Sequence, residues 1–377
     1  MNFCLDARTI TPHFPGIGRY VSNLANALPP VLKEDETLLL LQNPGGSSVL
    51  WSEEIVQKGK IRFLSTPSSP FSLSQHWQLP GRLQQAGAGL YHSPYYLMPY
   101  KLQFPVALTV YDLIPLHFPQ YVSARARLLF RITTRLALGA ATRIIAISNT
   151  SRDDFLRAFK LPPEKITCIP LAAGPRFHPQ PNVELTRTRQ KYSLPENYGL
   201  YVGSNKPHKN LTGLLAAWAQ FTAQASKKPL LVLAGAWDQR YPQAKQWVLN
   251  QDMQDAVRFV GPVDDGDLPA LLSGARLFIL PSLYEGFGLP ALEALACGAP
   301  VACARTSSLQ EVAGEAALYF DPQNAAEMAS VISRIWADET LSQELRARGP
   351  VQAANFSWQR TAQETINVYR QAVSATR

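Results

Sequence analysis

Short runs of Val, Ile and Leu alternate with segments of helical period along most of the chain. In the first half these runs predict strands at 2–7, 37–42, 60–64, 89–92, 106–111, 143–147 and 165–169. In the second half they predict strands at 199–203, 230–234, 257–260, 277–280, 300–303 and 317–320. Apolar runs separated by helices imply parallel sheets covered on both faces. The alternation breaks once, over 174–197, where Pro175, Pro179, Pro181 and Pro195 read as a linker followed by a short helix. The pattern therefore predicts an α/β chain of two doubly wound domains, 1–175 and 176–355. After them Ser357 can cap a last helix reaching about Ala372, with Trp358, Ala362, Thr365 and Tyr369 along one stripe. That stripe alone does not choose between the two domains.

Composition narrows the class. Of the 377 residues 46% are hydrophobic, enough for buried cores and too many for a disordered chain. The longest uncharged window, 63–81, holds five Ser and three Pro, and falls short of the run of about 20 apolar residues that a membrane span needs. No basic stretch followed by an apolar one opens the chain, so no secretory leader is expected. Cys4, Cys168, Cys297 and Cys303 lack CxxC spacing and sit in apolar stretches, which fits buried thiols in a reducing cytoplasm.

The formal charge of +8 is unevenly placed: residues 1–175 carry a net +7 and 176–377 only +1. No acidic residue falls between Asp112 and Asp153, whereas Arg125, Arg127, Arg131, Arg135, Arg143 and Arg152 all do. At about 100° per residue, Arg127, Arg131 and Arg135 share one face of a helix, and Leu129, Ile132 and Leu136 the opposite one. One reading is a helix packed on a sheet with its arginines solvated. The other is a basic face that meets anionic lipid, at the inner side of a membrane, or a phosphate-bearing acceptor. The arginines are not interleaved with aromatic residues and no nucleic-acid motif accompanies them, so nucleic acid is not expected as a partner.

Candidate chemistry begins with Gly16-Ile-Gly18. It follows the first strand by about ten residues, and Val21 stands where a dinucleotide fingerprint needs its third glycine, so nicotinamide and flavin are not indicated. Two glycines before a helix opening near Arg19 or Tyr20 still bare backbone N–H groups near a positive helix end, where an anion can approach. In the second half, the strand at 199–203 runs into Ser204-Asn-Lys-Pro-His-Lys209, with Asn210 a candidate helix cap. A lysine at the carboxyl end of a strand and the start of a helix is placed to hold phosphate, with Lys206 assisting.

The strongest constellation is Pro281-Ser-Leu-Tyr-Glu285-Gly-Phe-Gly-Leu-Pro290-Ala-Leu-Glu293. On one helix the two carboxylates would stand about 12 Å apart. Gly286, Gly288 and Pro290 place the helix start at Leu289 instead. Glu285 then lies in a tight loop at a strand's end, and Glu293 on the helix after it. This suits a ligand with hydroxyls in two places and phosphate between them, such as a nucleotide sugar.

These residues resemble a family. Glu285 and Glu293 in this setting look like the signature of retaining glycosyltransferases of family 4. Their GT-B fold has two Rossmann-like domains facing each other across a cleft, and a last helix that crosses back to the N-terminal domain. Gly16-Ile-Gly18-Arg19-Tyr20 resembles the family's N-terminal glycine loop. His92-Ser-Pro-Tyr-Tyr-Leu-Met-Pro99 and Asp112-Leu-Ile-Pro-Leu-His-Phe-Pro119 are similar to acceptor-domain segments of its polysaccharide-building members. Tyr201-Val-Gly-Ser-Asn-Lys-Pro-His-Lys-Asn210 resembles its phosphate loop, and Phe356-Ser-Trp358 the opening of its last helix.

The resemblance implies that 356–377 packs on the N-terminal domain. It implies that Glu285, with the backbone of Gly286, Phe287 and Gly288, binds the donor sugar, and that Glu293 takes the ribose hydroxyls. Lys209 would neutralise the departing diphosphate, assisted by the helix end at Leu289 and by Gly16 and Gly18. The base would lie near Gly261-Pro-Val263, and Asp112 on the acceptor side. Many members carry an Arg in the phosphate loop where Ser204 and His208 stand here, so more of the charge falls to Lys209 and Lys206. Tyr111 replaces a His common in the family before the aspartate, which makes His92 a candidate to contact the sugar.

The implied activity moves a hexose from a UDP-glucose or GDP-mannose type donor to a hydroxyl of a glycan or lipid-linked acceptor. The anomeric configuration is retained, and no metal or other cofactor takes part. The six histidines, His13 among them, have no ligand spacing. Asp265-Gly-Asp267 has the shape of a metal-binding DxD, but it follows a Gly-Pro turn and precedes a helix that Asp267 can cap. Rivals of the same fold are a nucleotide-sugar epimerase and a phosphorylase. From another class, the chain could be a non-catalytic assembly partner that binds glycan or lipid through its basic half. The presence of Lys209, Glu285 and Glu293 together argues against that.

Overall fold

The structure, a computed structural model, describes residues 1–11, 15–44, 59–223 and 228–375; His13 lies outside them. The chain divides into two compact units, one made of Met1–Leu171 with Ser357–Arg377, the other of Ala172–Phe356.

The first unit contains β1 (Asn2–Asp6), β2 (Thr37–Gln42), β3 (Ile61–Ser65), β4 (Ala88–Ser93), β5 (Val106–Val110), β6 (Arg143–Ala146) and β7 (Ile166–Cys168). All are parallel, in the order β3-β2-β1-β4-β5-β6-β7. Each falls within a residue or two of an apolar run. Every residue of β5 is buried, as a strand covered on both faces requires. On one face, helices Gln75–Gln85 and Ala124–Ala140 bury Leu79, Leu83, Phe130, Ala137 and Leu138 in one core with Cys4, Leu108 and Ile144.

The second of these helices corrects an expectation. It meets the core with Phe130, Thr134, Ala137 and Leu138. Leu129, Ile132 and Leu136 remain 62%, 48% and 49% exposed. Both sides of this helix carry apolar residues, and the side with the smaller Thr134 and Ala137 lets its backbone approach the sheet more closely.

The opposite face is closed by the last helix, Trp358–Ser374, which packs on β4, β5, β6 and the helix Pro15–Ala27. Ser357 caps it, its Oγ accepting from the Arg360 N–H at 3.2 Å. Val368 forms a small core with Ile145 and Ile169, and the Tyr369 ring lies 5.3 Å from that of Phe3. Arg370 grips Glu36 with two nitrogens, at 2.9 and 2.7 Å.

The second unit contains β8 (Tyr198–Val202), β9 (Leu230–Ala234), β10 (Val257–Gly261), β11 (Leu277–Leu280), β12 (Val301–Ala304) and β13 (Ala317–Phe320). They too are parallel, ordered β10-β9-β8-β11-β12-β13. The order reverses between β8 and β11. Adjacent strands whose connections leave to opposite sides open a crevice at their carboxyl ends, which is where ligands of such sheets bind.

Candidate active site

The loops that leave β8 and β11 meet at that reversal. The Leu283 N–H donates to the His208 carbonyl at 2.8 Å, and Asn210 Nδ2 donates to the Pro281 and Pro322 carbonyls at 3.2 and 2.7 Å. Asn210 stands before the helix Leu211–Thr222 in a left-handed conformation, and its side chain ties loops together instead of capping. Lys209, in the short turn Pro207–Lys209, is thereby brought onto Glu285. Its Nζ donates to Oε1 and Oε2 at 2.7 and 2.9 Å.

Glu285 is held from three further directions. Ser282 Oγ donates to its Oε1 at 2.6 Å. Its N–H donates to Ser307 Oγ at 2.9 Å, and Ser308 Oγ donates to its carbonyl at 2.9 Å. The two serines follow β12 and were not singled out from the sequence; Thr306-Ser307-Ser308 is a polar run with no motif of its own. Lys209 and Glu285 side chains keep only 17% and 9% of their surface exposed, so the pair is rigid but reachable. Beside them His208 is buried, and burial, helped by the Lys209 charge, pushes its pKa down to about 4.

Beyond Glu285 the chain turns through Gly286-Phe287-Gly288 into the helix Leu289–Ala296. Gly288 has φ +94°, and a Cβ there would lie 2.5 Å from Leu309 Cδ2, so only glycine fits. The positive end of the helix thus opens directly beside Glu285. Phe287 is buried edge-on against Phe356, ring centroids 5.9 Å apart. Glu293 is 2% exposed, so it is not a solvated helical glutamate. Burial pushes the nearby Cys297 thiol up to about 12, and the Glu293 charge adds to it.

A cavity of about 210 Å³ lies over the ends of β8, β9 and β10, bordered by Gly203, Asn205, Gly235, Trp237, Lys245 and Gly261. A Cβ on Gly235 would come 2.1 Å from the Gly203 carbonyl oxygen, so the two loops approach backbone to backbone. Asn205 Nδ2 donates to the Asp238 and Tyr241 carbonyls at 2.8 and 2.7 Å, fixing the loop next to Ser204. The Ser204 carbonyl accepts from Tyr201 Oη at 2.7 Å. Trp237 meets Phe259 edge-on at 5.2 Å, with Lys245 Nζ 4.6 Å from the indole centroid. Sequence reading missed Trp237 and Lys245, which sit in no recognisable spacing. Val263 is half-buried two residues beyond Gly261 and does not border the cavity.

The aspartates of the DxD-like segment are engaged elsewhere. Asp267 accepts from Arg187 at 2.6 Å, Lys191 at 2.5 Å and Tyr192 at 3.0 Å. It occupies the N-cap position of Leu268–Ser273 without a side-chain capping bond. Asp265 pairs with Arg176 at 3.2 Å.

In the first unit, the helix expected near Arg19 begins at Pro15, so Gly16 and Gly18 lie in its first turn and not in a loop before it. Proline at the first helical position forgoes an N–H that has no helical partner there. The open N–H groups of that turn remain an anion-compatible end. Asp112, at the end of β5, accepts from the Ile114 N–H at 3.0 Å. Close by, Tyr95 Oη donates to Tyr96 Oη at 2.9 Å, with the rings 4.2 Å apart. Burial raises both phenol pKa values, and the Asp112 charge adds to it.

His92 is corrected. Its ring is wholly buried. Nδ1 is hydrogen-bonded to Tyr369 Oη at 2.6 Å and Nε2 to Thr109 Oγ1 at 2.8 Å, so neither nitrogen is left for a sugar. It ties β4 to the last helix. Burial pushes its pKa down to about 3. An unfolded histidine titrates near pH 6.5, so between these values the unfolded chain binds more protons and stability is lost as pH falls. His208 acts in the same direction. The urea midpoint is expected to drop between about pH 7 and about pH 5, and His92→Gln to flatten that slope. A wild-type midpoint independent of pH in that window would contradict the buried, neutral ring.

Comparison with known proteins bears on the whole chain. Residues 15–173 match the family described as Glycosyltransferase Family 4, and residues 184–352 match Glycosyl transferases group 1. The O-antigen chain mannosyltransferase B of Escherichia coli is 34% identical over 368 residues, covering 94% of this chain and 96% of that protein. Among solved structures, sucrose-phosphate synthase from Thermosynechococcus elongatus matches with a TM-score of 0.77 at 24% identity, covering 100% of both chains. Anabaena HepE, solved with UDP and glucose, matches with a TM-score of 0.77 at 18% identity, covering 98% of this chain and 100% of that one. At these identities the two structures speak for the fold.

Proposed function

The chain belongs to the family 4 glycosyltransferases, as a GT-B hexosyltransferase of polysaccharide biosynthesis; from that premise we propose that it transfers mannose from GDP-mannose, with retention, to a hydroxyl of a lipid-linked glycan. The sugar is taken from the E. coli relative, a mannosyltransferase. Of the two donors that the sequence left open, GDP-mannose is the one that carries it.

The observation that carries this reading is the contact of Lys209 with Glu285 beside a helix N-terminus. A diphosphate on Lys209 sets the attached sugar against Glu285, because the two side chains touch. Donor binding exchanges the ion pair: phosphate oxygens replace the carboxylate on the ammonium, and sugar hydroxyls donate to the carboxylate. Both charges stay compensated, and neither is left buried alone. Glu293 takes the ribose hydroxyls, and the base lies toward Gly261 and Val263. The family resemblance assigns Gly16 and Gly18 to the diphosphate and Asp112 to the acceptor.

In the reaction the acceptor oxygen attacks the anomeric carbon on the face the diphosphate leaves. The carbon–oxygen bond to phosphate breaks, and the hydroxyl proton passes to the departing phosphate oxygen. Lys209 and the helix end at Leu289 stabilise the charge that grows there. This course needs no metal, and the engagement of Asp265 and Asp267 by cations supports that. The free cysteines fit a cytoplasmic setting.

The test is transfer from GDP-mannose and, separately, UDP-glucose to a lipid-linked oligosaccharide, with mass spectrometry and NMR of the product. An α-mannosyl product from GDP-mannose, at a rate untouched by EDTA, is expected. Glucosyl product alone would overturn the donor, and a β-linkage the stereochemistry. Loss of activity in EDTA, restored by Mn²⁺, would overturn metal independence.

A further inference from the structure

The helix Ala124–Ala140 turns apolar residues outward. Leu128, Leu129, Ile132 and Leu136 are 59%, 62%, 48% and 49% exposed. At about 100° per residue they cover an arc of roughly 100°, with Arg127, Arg131 and Arg135 along one flank and the buried Phe130 and Ala137 on the far side. A surface helix of a globular protein normally does the reverse, polar residues outward. Among the described residues, none of Arg125, Arg127, Arg131 and Arg135 has a carboxylate partner, and the sequence places no acid between Asp112 and Asp153 to supply one. Arg152 and Arg157, outside the helix, do pair with acids.

A second apolar set lies in the same layer. Phe71, Leu73 and Trp77 are 55%, 74% and 67% exposed around the start of Gln75–Gln85. That helix shares its buried core with Ala124–Ala140. The two are also bridged: the Tyr100 ring lies 4.9 Å from His76, its Oη donates to the Tyr96 carbonyl at 3.3 Å, and the Tyr96 ring lies 5.1 Å from Phe130.

We infer that this face docks on an anionic membrane surface. Charge selects the occupant. A second copy of the chain would bring unpaired arginines against unpaired arginines. Nucleic acid would satisfy the arginines but leave the leucines in water. An anionic bilayer supplies both partners, acyl chains for the stripe and lipid phosphates for the flank. The helix, 17 residues and about 25 Å long, lies in the plane of the interface. Its arginines reach outward to headgroups, and Trp77 sits at headgroup level. This inference stands on the first unit's surface and is independent of which sugar is transferred.

Flotation of the full chain with phosphatidylcholine vesicles containing phosphatidylglycerol tests it. Binding to these is expected, with little to pure phosphatidylcholine and less at high salt. Arg127→Gln, Arg131→Gln and Arg135→Gln together should weaken it about 10²-fold, at roughly fivefold per arginine. Leu129→Asp with Ile132→Asp should abolish it at unchanged Tm, both positions being already exposed. GDP binding by every variant should match the wild type, which separates this test from that of the donor site. Equal binding to both vesicle types would overturn the inference. So would anionic binding that survives the aspartates, or a dimer that the aspartates dissociate.

Discussion

Replacing Lys209 by alanine is expected to lower kcat for sugar transfer by about 10²–10³. The ammonium lies where the loops after β8 and β11 meet the helix end at Leu289, and the proposed diphosphate would bring it a charge that grows on departure. An interaction that strengthens toward the transition state lowers the barrier and not merely the KM. The substitution also strips Glu285 of its cation. That carboxylate keeps Ser282 as a donor but remains largely buried, so a modest fall in Tm should accompany the kinetic loss. Turnover must therefore be measured where circular dichroism shows the variant folded. Near-wild-type kcat at saturating donor would sink the assignment of Lys209.

Glu285→Gln and Glu293→Gln should separate along the donor. Glu285 would contact the sugar, whose shape and charge change in the reaction, and its own geometry is fixed by Ser282, Ser307 and Ser308. The glutamine keeps the size but loses the charge and one acceptor, so kcat should fall by about 10² while GDP binds nearly as before. Glu293 would grip the ribose, which does not react. Its substitution should chiefly weaken GDP and GDP-mannose alike, by about 1–3 kcal/mol for a charged hydrogen bond. Calorimetry with GDP, set beside steady-state kinetics, reads both. Equal damage to GDP binding by the two variants would refute the division even if both residues proved essential.

The strands were legible because burial on both faces forces continuous apolar runs, and β2, β9, β11 and β13 fall on the runs residue for residue. The Glu285 loop was legible because glycines and a proline fix a helix start locally. What escaped depends on distant chain. His92 reads as an open strand end until Tyr369, 277 residues later, covers it. Ser307 and Ser308 reach Glu285 from β12, and nothing near them announces it. The face of Ala124–Ala140 escaped for another reason: a helix with apolar residues on two sides does not reveal which one the sheet takes. At Pro15 the cause is local: a proline suited to a first turn sets the helix start ahead of the two glycines that follow it.

The last helix also sets a timetable for the nascent chain. It completes the first unit, yet about 200 residues must be made after β7 before it has emerged, roughly 10–40 s at bacterial-to-eukaryotic ribosome speeds. Through that interval Phe3, Ile145, Ile169 and His92 lack the surface that later buries them. The second unit is continuous in sequence and waits for nothing. The half synthesised first is therefore the half finished last, and a stop codon anywhere before Trp358 leaves the N-terminal unit incomplete even though its own strands are all present.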